Sequence, residues 1–151
     1  MPANLTYYIF EGVLTGTVGG KLFHMSALSG GGGGSTKHRP ATSVNNPYME
    51  ALKTRSSSTS HVHGGPIPPG KYTILKPSHH PHLGLSAKLV HPHFRPMGRD
   101  GFYIHGRGPH GSDGCIVPLE SPKFQELMTA LALSNGGVLF VEETMGGERF
   151  A

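Results

Sequence analysis

The apolar positions of this chain fall in short runs broken by glycine and proline, and only one stretch carries a helical period. Residues 5–28 read as paired strands: Tyr8, Phe10, Val13 and Val18 are β-formers, and Gly19-Gly20 is placed for a tight turn before Lys21-Leu22-Phe23. Lys71-Tyr72-Thr73-Ile74-Leu75 is a further strand, Gly101-Phe102-Tyr103-Ile104-His105 another, and Val138-Leu139-Phe140-Val141 a closing, buried one. Between the last two, Phe124, Leu127, Met128 and Leu131 recur at i, i+3, i+4 and i+7, which predicts a helix over Pro122 to Ser134. Ser121 suits its N-cap, Pro122 its first helical position, and Asn135-Gly136 its stop. The sum is a mainly β domain with one helix packed on it.

The connecting segments read as exposed. Gly30 to Gly34 is a run of five glycines, expected to be a flexible surface loop or an inserted linker. Residues 53–64 are Ser/Thr-rich and read as a second exposed loop ending in His61-Val62-His63. Residues 77–96, crowded with histidine and proline around a short apolar piece, read as irregular and surface-facing.

Composition sharpens this picture. The 151 residues predict one domain, 1–151, and 23 glycines with 13 prolines argue against a helical bundle. The formal charge is +4, but the Lys and Arg residues are scattered, with no basic helix and no aromatic stacking platform. Nucleic acid is therefore disfavoured as a partner. No apolar run reaches the ~18 residues of a membrane span, so membrane insertion is not expected. The N-terminus lacks the basic and apolar regions of a secretory signal, which predicts synthesis in the cytoplasm and a special route if the substrate lies outside it. The single cysteine excludes an intrachain disulfide.

That cysteine stands in His105-Gly106-Arg107-Gly108-Pro109-His110-Gly111-Ser112-Asp113-Gly114-Cys115-Ile116. A strand delivers His105 to the start of a Gly-rich turn, and Cys115 follows the turn, as a base–nucleophile pair requires. Gly114 lets the backbone approach a substrate, and the N–H groups of Gly114 and Cys115 are placed to form an oxyanion hole. A thiol is only partly ionised at neutral pH, and an imidazole can take its proton and hold the thiolate as an ion pair.

Ile104-His105-Gly106 followed by Ser112-Asp113-Gly114-Cys115-Ile116 resembles the signature of YkuD-type L,D-transpeptidases. Pro66 to Tyr72 is similar to that family's Pro-x-Gly-x-Tyr segment. Only nine residues separate His105 from Cys115, and Asp113 and Val117 stand where the family usually has His and Arg. Both departures, with Asn45-Asn46-Pro47 and Gly65-Pro66-Ile67-Pro68, resemble the type VI secretion L,D-transpeptidase effectors, a family of antibacterial toxins. The resemblance implies an L,D-transpeptidase-like β-sandwich acting on peptidoglycan tetrapeptide stems, as a carboxypeptidase or by D-amino acid exchange, without a cofactor. Cys115 would be the nucleophile and His105 the base. Ser112 would bond near the thiolate or its histidine, or simply stabilise the turn. Tyr72, Asp113 and His82 are candidate substrate contacts, with His79 and His80 further possible cleft residues. A cognate immunity protein, a type VI spike or tube component as carrier, and action in the target-cell periplasm are implied as well.

Two other readings stand beside this one. Eleven histidines, among them His61 with His63, His79, His80 and His82, and His91 with His93, have spacings a zinc-dependent wall hydrolase could use. No His-Glu-x-x-His or paired-cysteine motif accompanies them, and no metal ligands are assigned. A non-catalytic wall-binding module with an inert, buried Cys115 is the other alternative.

Overall fold

A computed structural model describes residues 2–36, 41–57, 61–91, 96–108 and 112–146. His93, His110 and the Pro109–Gly111 part of the turn before Cys115 lie outside the described residues. The expected strands form. β1 (Ala3–Tyr8), β2 (Val13–Val18) and β3 (Lys21–Ser29) make an antiparallel meander. Ala3, Leu5 and Tyr7 of β1, Leu14 and Val18 of β2, and Phe23, Met25 and Ala27 of β3 point into one core.

A two-residue-per-strand ribbon follows, β4 (Arg55–Ser56) with β5 (His61–Val62); residues 53–57, 61 and 62 are exposed as expected, but the stretch is not wholly irregular, and it ends in a half-buried His63 and a buried Gly64. The later strands are β6 (Gly70–Ile74), β7 (Ser78–His80), β8 (Gly84–Val90), β9 (Phe102–His105), β10 (Ile116–Pro118) and β11 (Gly137–Glu142). They join the meander in the order β6-β11-β1-β2-β3-β10-β9-β8-β7, and β6 also pairs with β8. That pairing closes a mixed circuit of eight strands, with β7 attached outside it. The mainly β class with one helix is as predicted.

The stretch 77–96 is a correction. It contains the β7–β8 hairpin, and β8 pairs along β9, Ser86 opposite His105 and Leu89 opposite Phe102. Ala87 and Leu89 are buried. Their inward alternation is short and flanked by His and Pro, so the strand depends on its partner β9 rather than on a strong local pattern.

The helix α1 (Ser121–Ser134) buries Phe124, Leu127, Met128 and Leu131 and contacts β2, β8 and β10. Removing four such side chains from water contributes about 2 kcal/mol each before chain entropy is counted. Its start lies one residue earlier than expected. Glu120 is the N-cap, because its carbonyl accepts the first helical bond from Phe124 N–H at 3.0 Å, and its side chain makes no cap bond. Asn135 ends the helix in the left-handed conformation (φ 61°), as the Asn-Gly pair predicts. Among the described residues no helix is long and apolar enough to cross a membrane.

Candidate active site

The strand pairing brings the two motif ends together. β9 and β10 run parallel with Ile104 opposite Ile116, and both isoleucines are fully buried. His105 and Cys115 stand one residue either side of that pair, His105 at the end of β9 and Cys115 just before β10. They are diagonal rather than directly opposed. No hydrogen bond joins thiol and imidazole: the thiol's partner is the Gly101 carbonyl, at 3.8 Å.

His105 is 4% exposed. Its Nδ1–H donates to the Gly106 carbonyl at 2.8 Å, because a carbonyl can only accept, and this leaves Nε2 as a lone-pair nitrogen. Nε2 is buried and has no hydrogen-bond partner. Burial lowers the pKa of His105; the Gly106 bond opposes that, and His80 adds to it. The turn after His105 is held by α1, where a side chain at Gly106 would press on the Phe124 ring at 3.2 Å.

Cys115 is half-buried. Burial pushes its thiol up to about 12, the Tyr103 backbone N–H pulls the other way, Asp113 adds to the rise, and Arg99 counters it. Both shifts run against the thiolate–imidazolium ion pair expected from sequence: burial raises the thiol and lowers the imidazole. The partial exposure of Cys115 is what leaves it reachable.

The loop bearing the nucleophile is fixed by buried polar contacts. Ser112 Oγ donates to the Cys115 carbonyl at 2.7 Å and accepts from Gly114 N–H at 3.2 Å and Gly30 N–H at 3.4 Å. Ser112 therefore positions the backbone and touches neither thiol nor imidazole. Gly114 N–H is thereby committed, which removes it from the expected oxyanion hole. Ser29 Oγ donates to the Gly114 carbonyl at 3.0 Å and accepts from Ile67 N–H at 2.9 Å. Asn45 Oδ1 accepts from Ser29 N–H at 2.8 Å and from the Tyr7 hydroxyl at 3.0 Å, tying the Asn-Asn-Pro motif into the same network.

Arg99 was not singled out by sequence. Its guanidinium is 6% exposed and donates to four backbone carbonyls: Glu50 at 2.6 Å, Pro66 at 2.7 Å, Gly65 at 2.8 Å and Asp113 at 2.9 Å. One side chain thus pins three separate loops together. Gly114 lies directly beneath it, at φ 123°, and a Cβ there would sit 2.6 Å from the guanidinium. The glycine before the nucleophile is explained by Arg99 as much as by any substrate. Nothing in Gly98-Arg99-Asp100-Gly101 distinguishes this arginine from an exposed loop residue, since its partners lie 14 to 49 positions away.

The five-glycine run is the largest departure from expectation. Gly30 to Gly34 are all buried against this network. Gly31 N–H donates to the Gly64 carbonyl at 2.7 Å and Gly32 N–H to the Ser112 carbonyl at 2.8 Å. A Cβ on Gly30 would come within 2.2 Å of the Gly65 backbone, and one on Gly34 within 2.5 Å of Val117. The run is a packed floor beneath the nucleophile loop, neither flexible nor on the surface, because only bare backbone fits there.

The other candidates are distributed as follows. Tyr72 is buried with its hydroxyl donated to the Pro68 carbonyl at 2.7 Å, and its ring lines a cavity of about 350 Å³ with Arg99, Gly101, Phe102 and Tyr103. Gly101 and Tyr103 also meet the thiol, so this cavity adjoins Cys115. His82 is exposed in the β7–β8 turn and lines neither this cavity nor a second one of about 260 Å³ beside Gly106 and Phe124. His80 packs edge-on against Tyr103, with ring centroids 5.1 Å apart. Asp113 is engaged by His63, His61 and Gly64, and these histidines with Asp113 are the one grouping among the described residues able to hold a metal ion.

No family model and no curated protein matches the sequence. Among solved structures, the chain is similar to L,D-transpeptidase 1 of Mycobacterium tuberculosis, over 93% of its length at 12% identity and a TM-score of 0.49. It is also similar to an L,D-transpeptidase from Mycobacterium smegmatis, over 93% at 14% identity and a TM-score of 0.48. It spans 60% and 58% of those two chains. Likeness at this level assigns neither family nor chemistry.

Proposed function

We propose that this chain is a peptidoglycan-directed cysteine enzyme of the L,D-transpeptidase type, with Cys115 as nucleophile and His105 as base. One observation carries the reading: a half-buried thiol on a stapled loop and a buried imidazole whose Nε2 is unpartnered flank the same Ile104–Ile116 strand pair. A structural histidine buried at this cost would be expected to use both nitrogens.

The chemistry starts from neutral groups. Cys115 Sγ attacks the carbonyl that precedes the terminal D-Ala of a tetrapeptide stem, while His105 Nε2 takes the thiol proton, directly after a small side-chain movement or across one water. The tetrahedral intermediate collapses to a thioester, and the imidazolium returns its proton to the departing D-Ala amine. Water then resolves the thioester to give L,D-carboxypeptidase activity, or a D-amino acid or stem amine does so and gives exchange or cross-linking. The raised thiol and lowered imidazole favour proton transfer coupled to attack over a standing thiolate.

The Asn45-Asn46-Pro47 and Gly65–Pro68 segments, which resemble the type VI effectors, lie within the network that fixes the nucleophile loop. The sequence resemblance of these two segments is what supports reading the protein as an antibacterial effector, delivered by a type VI apparatus, acting in the target periplasm and neutralised by an immunity protein in its producer. Mass spectrometry of muropeptides incubated with the wild type and with Cys115→Ala tests the enzymatic reading. Loss of the terminal D-Ala with the wild type alone is expected; equal release by Cys115→Ala would end it. Toxicity on export to the periplasm and none in the cytoplasm is the expected companion result.

A further inference from the structure

We propose that His61, His63 and Asp113 form a binding site for a borderline divalent transition-metal ion, zinc being the best match, that clamps β5 to the nucleophile loop. The proposal stands on the placement of these three side chains and does not depend on the reactivity of Cys115.

One ligand atom from each residue lies within 4.8 Å of the others. His61 Nε2 is 3.7 Å from Asp113 Oδ2, and His63 Nδ1 is 2.6 Å from Asp113 Oδ1. Ligands bound at 2.0–2.2 Å in tetrahedral array are about 3.3–3.5 Å apart. Seating an ion therefore requires the His63–Asp113 contact to open by about 0.8 Å and the His61–Asp113 contact to close by about 0.3 Å, which small χ rotations provide.

The surroundings already select the coordinating atoms. His61 Nδ1 is bonded to Ser56 Oγ at 3.0 Å, leaving Nε2 to face the carboxylate. His63 packs its Cδ2–Nε2 edge over Gly32, where a Cβ would lie 2.9 Å from the ring, leaving Nδ1 to face it. Gly64 N–H donates to Asp113 Oδ1 at 3.2 Å and holds the carboxylate in place. Arg99, the adjacent cation, donates to the Asp113 carbonyl and leaves the carboxylate to the two histidines. Oriented imidazoles with a fixed carboxylate are the outer-shell arrangement that metal sites use.

Two imidazoles and one carboxylate favour zinc over magnesium or calcium, which prefer all-oxygen shells. The partial exposure of all three side chains leaves a fourth position for water. The two ligand histidines are His61 of β5 and His63 just after it, and the third ligand comes from the loop preceding Cys115, so the ion would bridge segments fifty residues apart in sequence.

The test uses the full chain carrying Cys115→Ala, so that no thiol competes, with zinc chloride titrated calorimetrically. One ion per chain at low-micromolar affinity is expected, together with a raised melting temperature. His61→Ala with His63→Ala should weaken binding by more than ~10-fold, whereas His79→Ala with His82→Ala should leave it unchanged. Melting of each metal-free variant establishes that it is folded. In the wild-type thiol form, cobalt substitution should give an absorption spectrum without a thiolate charge-transfer band. Binding that survives the His61/His63 change, that falls equally in the His79/His82 variant, or that is absent at millimolar zinc overturns the proposal.

Discussion

Two histidines serve the nucleophile region, and they are held in contrasting ways. His63 is half-buried and bonded through Nδ1 to the Asp113 carboxylate at 2.6 Å. His105 is almost sealed, with its Nδ1 on a neutral carbonyl and its Nε2 unpartnered. A carboxylate partner fixes the imidazole, directly or through a cation between the two, and so suits holding things in place. Burial beside a carbonyl favours the neutral imidazole with a free lone pair, which is what a base needs at neutral pH. Only the second arrangement can accept a thiol proton without first giving up a partner.

The comparison can be broken most decisively at the nucleophile. Cys115→Ala is expected to abolish D-Ala release while leaving the melting temperature almost unchanged, because it removes one sulfur from a half-buried site. His105→Ala should then lower kcat by about 10²–10⁴-fold, measured on tetrapeptide stems, whereas His63→Ala should stay within about 10-fold of wild type. Equal losses in the two histidine variants would erase the distinction drawn above.

Arg99→Met acts on both regions at once, since Arg99 holds the loop that carries Asp113 and Cys115. Four carbonyls lose their donor, and destabilisation of about 3 kcal/mol or more is expected by urea melting, with faster alkylation of the thiol than in the wild type.

The smallest effects are in pH dependence. The folded pKa of His105 is lowered, so below about 6.5 the unfolded chain binds the extra proton and the folded one resists it. Stability should fall as pH drops through that range, and less steeply in His105→Gln. For Cys115 the sign reverses. Its folded pKa is raised to about 12, so the unfolded chain loses its proton first and stability declines as pH climbs above about 8.5. Melting curves of Cys115→Ala should lack that alkaline decline, and the iodoacetamide rate of the wild type should keep rising with pH where a free thiol has levelled off.

What the sequence makes legible follows from how local each cause is. The meander, α1 and β9 are visible because burial within them repeats at the strand or helix period, and Asn135-Gly136 ends the helix by its own backbone preference. The pair His105 and Cys115 is visible as a motif, but their diagonal placement is not, because it is set by the single Ile104–Ile116 register pair. Gly30–Gly34 reads as a loop since glycine supplies no pattern, and its packing is decided by Ser112, Gly64, Gly65 and Val117, all distant in sequence. Arg99 is hidden for the same reason: its four acceptors are main-chain carbonyls, which carry no residue identity.

The position of β11 has a consequence for how the chain comes to be folded at all. This strand is made after the other ten, yet it lies inside the circuit, parallel to β1 and antiparallel to β6. Until it emerges during synthesis, β1 and β6 each present an unpaired edge, and β6 holds to the rest of the barrel through the two rungs Thr73–Val90 and Ile74–Leu89. Pairing Ala3 with Gly137 spans almost the whole chain, a closure of the kind that slows folding. The circuit therefore closes only when β11 is seated between β1 and β6, which makes the last of these strands in sequence the one that joins its two halves.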